Sequence, residues 1–143
     1  MNYVVLVSHG IFAQGVHSVL DMLVGSNRND ILSISLKDGM SGDDFYNEFD
    51  KVISMLTEED KVLLLGDIIG GSPLTNAINC LHERKLLDNT VVFGGINVPL
   101  ALNAALFKDT VSSIEELKEQ LISEATGSLK IVTFEDENDD DDI

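Results

Sequence analysis

The feature that most constrains the fold is an alternation of two hydrophobic periods along the chain. Short apolar, β-rich runs occur at residues 3–7, 31–36, 62–65, 90–93 and 129–134, each of strand length. Between them the apolar spacing changes to three and four. One set comprises Val16, Val19, Leu20 and Leu23, a second Phe45, Phe49, Val52, Ile53 and Leu56, and a third Leu74, Ala77, Ile78 and Leu81. That spacing gives each of three helices one apolar face with which to cover a sheet. Two further helices are expected, one from Pro99 and one over residues 113–124, with Ile114, Leu117, Leu121 and Ile122 apolar.

The punctuation agrees with this order. Ser41 and Asp44 have capping-box spacing, Ser72 before Pro73 reads as an N-cap followed by a first-turn proline, and Gly25 closes the first helix. The resulting order, β-α-β-α-β-α-β-α-α-β, predicts an α/β, doubly wound, mainly parallel sheet with right-handed crossovers and helices on both faces. The last strand follows two consecutive helices. It can lie antiparallel at a sheet edge or be exchanged with a second subunit, and sequence leaves both open.

A length of 143 residues fits one compact domain, and 44% hydrophobic residues is ordinary for a folded protein. The net charge of −16 is exaggerated by the end of the chain, where seven acids fall at Glu135, Asp136, Glu137 and Asp139 to Asp142. Such a run repels itself and buries nothing, so residues 1–134 are read as the domain and 135–143 as a solvated, disordered acidic tail. Nine basic residues, dispersed along the chain with only Arg84 and Lys85 adjacent, are too few to neutralise a nucleic-acid backbone. No apolar run approaches a membrane span, and no signal peptide precedes the first strand, so a cytoplasmic protein without direct membrane insertion is expected. Cys80 is the only cysteine, which excludes an internal disulfide and a multi-cysteine metal site; its place in a helical apolar pattern reads as core.

In a doubly wound sheet the binding site forms beyond the carboxyl ends of the strands. Those ends carry Ser8-His9-Gly10, Lys37-Asp38-Gly39, the run from Asp67 through Gly70-Gly71-Ser72-Pro73, and Gly94-Gly95-Ile96-Asn97. His9, on a loop at a strand end, can present one ring nitrogen as a nucleophile, or can simply make one hydrogen bond. If the first and third strands are neighbours, Asp67 can fix the tautomer of His9; otherwise it caps the following turn. Gly70, Gly71 and Ser72 open a helix, where unpaired N–H groups and the positive helix end suit an anion such as a phosphoryl group. His17 and His82 read as surface or boundary histidines.

Several chemistries are disfavoured by what is missing. A histidine phosphatase would have arginine where Ser8 stands, a receiver domain would end its first strand in acids, and neither a P-loop nor a dinucleotide fingerprint is present. No arginine adjoins His9, so fixed cations do not trap a phosphate there. A nucleophilic histidine with an orienting acid and neutral donors suits a relay better than a hydrolase, needing neither metal nor cofactor.

Val7-Ser8-His9-Gly10, with Asp67, Gly70-Gly71-Ser72-Pro73 and Gly95-Ile96-Asn97-Val98-Pro99, resembles the IIA component of the mannose-family sugar phosphotransferase system over residues 2–134. The resemblance implies a homodimer that takes phosphate from the general histidine phosphocarrier protein. It passes the phosphate to a IIB component, which serves sugar uptake through the membrane components IIC and IID. It also implies phosphorylation of His9, orientation by Asp67, and phosphoryl contacts from Gly70, Gly71 and Ser72 together with Ser8 and Gly10, with Asn97 a partner or loop contact. Ile68 and Ile69 depart from the family, which often has a more polar or aromatic pair there. Two rival readings are the phosphocarrier subunit of a phosphotransferase-dependent dihydroxyacetone kinase and a small-ligand sensory module without chemistry. A hydrolase using His9 as general base ranks below both.

Overall fold

A computed structural model of the chain describes residues 1–134; the acidic end, 135–143, lies outside the described residues. Four strands, β1 (Asn2–His9), β2 (Ile31–Leu36), β3 (Lys61–Gly66) and β4 (Thr90–Phe93), form a sheet of order β2-β1-β3-β4 in which every pairing is parallel. The helices are α1 (Phe12–Val24), α2 (Gly42–Val52), α3 (Ser72–Glu83), α4 (Val98–Phe107) and α5 (Ile114–Gly127), with a short 3₁₀ turn at Leu87–Asn89.

The alternation of side chains along β1 sorts the core into two layers. Val4 and Leu6 face Ala13, Val16 and Leu20 of α1 and the buried sides of α4 and α5. Tyr3, Val5 and Val7 face Phe45 and Phe49 of α2 and Leu74, Ala77 and Leu81 of α3. A strand covered on both sides must be apolar throughout, and β1 is buried from Tyr3 to Ser8. Helix ends follow local chemistry: Ser41 and Asp44 form the reciprocal capping box at α2, Gly25 ends α1 at φ +99°, and Asn97 caps α4 by accepting the Leu100 N–H.

Three expectations are corrected. Segment 129–134 forms no strand on this chain's own sheet. It follows α5 as irregular backbone, with Leu129, Ile131 and Phe134 all more than four-fifths exposed. A β-rich run becomes a strand only where it meets a free edge, and among the described residues nothing pairs with the outer edge of β4. Ser72 is not the N-cap of α3: Gly71 takes that place and Ser72 is the first helical residue. Leu23 points away from the core of α1 and is exposed.

Candidate active site

Strand order reverses at β1, since β2 lies on one side and β3 on the other, so the loops after β1 and β3 diverge and leave a crevice between them. His9 is the last residue of β1 and Asp67 follows β3 directly; with Val7 registered against Gly66, their side chains meet. One carboxylate oxygen of Asp67, Oδ2, accepts both the His9 backbone N–H and the ring Nδ1–H, each at 2.9 Å. The other, Oδ1, accepts the Ile68 N–H at 2.9 Å. Burial pushes the Asp67 carboxyl up, but the hydrogen bonds from the His9 backbone, the His9 ring and Ile68 outweigh it and hold the group below its ordinary value. An ionised carboxylate only accepts, so the proton of the contact sits on Nδ1. Nε2, on the opposite side of the ring, makes no hydrogen bond among the described residues, and the side chain is 43% exposed.

The first turn of α3 closes the site. Gly70 adopts φ +85°, and the Gly71 N–H is spent on Ile68 O. Gly71 has ordinary backbone angles, yet a Cβ there would lie 2.9 Å from Cε1 of His9. Its lack of a side chain lets the imidazole rest against the helix start, a steric requirement rather than a conformational one. The N–H groups of Gly70 and Ser72 donate to no group among the described residues, as expected at a helix N-terminus.

Other residues expected at the site have their polar groups engaged in the scaffold. The Ser8 side chain is fully buried; its hydroxyl accepts the Ala13 N–H at 2.6 Å and donates to His9 O at 2.9 Å, bracing the β1–α1 turn. Gly10, at φ +59°, gives its N–H to Leu36 O. Asn97 donates through Nδ2 to Ala125 O of α5 while its Oδ1 caps α4, which ties the two helices together. Cys80 is buried on α3, and burial, with Asp50 beside it, pushes the thiol up to about 11, which suits core and not nucleophile. His17 is half-buried with Nδ1 against Ser33 Oγ, and His82 is exposed.

A collar of apolar side chains surrounds the crevice, and periodicity did not single it out as functional. Ile11 and Phe12 follow His9, Ile68 and Ile69 follow Asp67, and all four are exposed. Ile69 lies against Gly94 of the β4–α4 loop, where a Cβ would collide with it. The available signal was the position of these residues in loops, where large apolar side chains have no core to fill.

The model of the EIIA-man family, described as "PTS system fructose IIA component", matches residues 3–122. The chain belongs to this family. As an EIIA of the mannose family of the phosphotransferase system, it is a phosphocarrier. It is similar to the "PTS system fructose-specific EIIA component" of Bacillus subtilis (strain 168), 23% identical over 126 residues and 84% of each chain. A phosphotransferase system component EIIA from Streptococcus agalactiae shares its fold with a TM-score of 0.77 at 21% identity, over 92% of this chain and 97% of that one. A PTS IIA protein associated with the fucose utilization operon of Streptococcus pneumoniae superposes with a TM-score of 0.75 at 27% identity, over 91% and 92%. Among the described residues no helix is long and apolar enough to cross a membrane.

Proposed function

We propose that Nε2 of His9 accepts the phosphoryl group from the histidine phosphocarrier protein and passes it to a IIB component in the cytoplasm. The observation that carries this reading is the Asp67 clamp, in which one carboxylate oxygen accepts both backbone and ring N–H of His9. With the proton held on Nδ1, the Nε2 lone pair attacks phosphorus in line while the donor's P–N bond breaks. The ring then carries positive charge, which the neighbouring carboxylate stabilises. Onward transfer reverses the step: the IIB nucleophile attacks phosphorus, the Nε2–P bond breaks, and His9 returns to its neutral Nδ1–H form. The Gly70 and Ser72 N–H groups and the Ser72 hydroxyl are the phosphoryl contacts, whereas Ser8 and Gly10 act by shaping the turn. The apolar collar of Ile11, Phe12, Ile68 and Ile69 supports a protein as the exchanging partner, because burying that rim excludes water from the transferring group.

The homodimer belongs to the same proposal. Asn97 ties the end of α5 to the start of α4, so segment 129–134 leaves near the carboxyl end of β4. It can therefore run antiparallel along an open strand edge, its six residues reaching about 20 Å. Exchange of this segment onto β4 of a second copy is supported by its exposed apolar side chains and by the outer edge of β4, which is unpaired among the described residues, with Val92 exposed there.

Incubation with phosphoenolpyruvate, enzyme I and the histidine phosphocarrier protein is expected to yield an acid-labile, base-stable phosphate on the wild-type chain and none on His9→Ala. Equal labelling of the two proteins would sink the reading.

A further inference from the structure

We propose that Asn76, on the second turn of α3, is a positioning residue that aims the Ser72 hydroxyl proton at the phosphoryl group; this rests on the reading that Ser72 contacts a phosphate carried by His9. Asn76 stands four residues after Ser72 and so on the same helix face. Its Nδ2 donates to Ser72 O at 3.0 Å and to Ser72 Oγ at 3.0 Å. A carbonyl oxygen only accepts, so the nitrogen end of the amide must face Ser72, and the backbone fixes the orientation of the side chain. Its second N–H then occupies an acceptor site on the hydroxyl oxygen.

A serine hydroxyl has one proton to give. With Oγ already accepting from Asn76, that proton must go to a third group, and no described residue accepts it. The hydroxyl lies one residue beyond Gly71, whose Cα side abuts Cε1 of His9, at the positive end of α3. The start of α2 lies beside the pair. A Cβ on Gly42, the first residue of α2, would lie 3.2 Å from Nδ2 of Asn76 and 3.4 Å from Oγ of Ser72. A purely structural role would leave the contact to Ser72 O as the reason for Asn76, yet a helix interior already supplies an N–H to that carbonyl. What Asn76 adds is control of the hydroxyl.

The test measures phosphorylation of the full chain by the histidine phosphocarrier protein in wild type, Asn76→Ala, Ser72→Ala and the double variant, with thermal unfolding alongside. Asn76→Ala is expected to lower kcat about tenfold, the worth of one well-placed hydrogen bond, with KM for the donor protein and the unfolding midpoint little changed. In the Ser72→Ala background the same change is expected to alter the rate less than twofold. Asn76→Asp, whose carboxylate would take the hydroxyl proton for itself, is expected to be slower than Asn76→Ala. A wild-type rate in Asn76→Ala, or an undiminished loss in the Ser72→Ala background, overturns the proposal. If Ser72→Ala itself runs at the wild-type rate, the contact on which the proposal rests is wrong. If the wild type takes no phosphate at His9, the underlying reading is wrong.

Discussion

At the residue scale the molecule depends on one carboxylate receiving three N–H groups. Asp67→Asn keeps the shape but not the pattern, because an amide has one acceptor end. Whichever way it turns, its NH₂ faces an N–H donor, either His9 on one side or Ile68 on the other. Phosphorylation of Asp67→Asn is expected to slow by about 10- to 100-fold, the range for losing the partner that orients a functional imidazole. The change also has a pH signature. The folded carboxyl of Asp67 is held below its unfolded value of about 3.9, so its stabilisation is fully present above that value and lost as pH falls through the lower, folded value. In urea titrations the stability gap between wild type and Asp67→Asn should therefore be largest near neutrality and narrow as the pH drops below 4; a gap independent of pH would remove the carboxylate from the argument. Of these residues, His9 and Asp67 were legible in the sequence because their chemistry and their strand-end placement coincide. The engagement of Ser8, Gly10 and Asn97 in the scaffold was not, since it depends on which N–H and carbonyl groups the fold brings to them. The steric duty of Gly71 was hidden for the same reason: its backbone angles suit any residue, and only the imidazole of His9 demands the space.

At the scale of elements, four of the five expected strands form, because an apolar run flanked by helices must lie inside a sheet. The α/β order, both helical faces and two helix ends, Gly25 after α1 and the Ser41–Asp44 box before α2, were legible, being written in periodicity and in capping residues; the N-cap of α3 is Gly71, one residue before the expected Ser72. Segment 129–134 has the composition of a strand, but pairing is a property of two edges and the second edge is not encoded in the run itself. If β4 takes this segment from a second copy, a chain ending at residue 128 should be monomeric by light scattering at tens of micromolar, where the full chain is dimeric. A full chain that is monomeric under those conditions, or a shortened one that still dimerises, would refute the exchange. The apolar β4 edge gives a second sign of the same kind, as the shortened chain should aggregate more readily once nothing covers it.

For the whole molecule, stability and chemistry sit at opposite ends of the sheet. At the amino ends of the strands the Lys108 ammonium, with a side chain only 2% exposed, reaches Asp30 and Asp109, each at 2.7 Å, and Arg28 pairs with Asp30 at 2.8 Å. The hydrogen bond from Arg28, working against burial and helped by Lys108, holds the Asp30 carboxyl far below its ordinary value. Removing one member of such a group leaves its partners uncompensated. Lys108→Ala is expected to cost about 3 kcal/mol in denaturant unfolding while leaving the phosphorylation rate at 25 °C unchanged; a normal midpoint, or a slowed transfer, would contradict this separation. At the other end, the claim on which the function turns is that Asp67 keeps Nδ1 protonated and so directs the phosphate to the opposite nitrogen. Long-range ¹H–¹⁵N correlation spectra of the phosphorylated, ¹⁵N-labelled protein read this directly. Phosphate bonded to Nε2 of His9 is the predicted result, and phosphate on Nδ1, or on any other side chain, would contradict it.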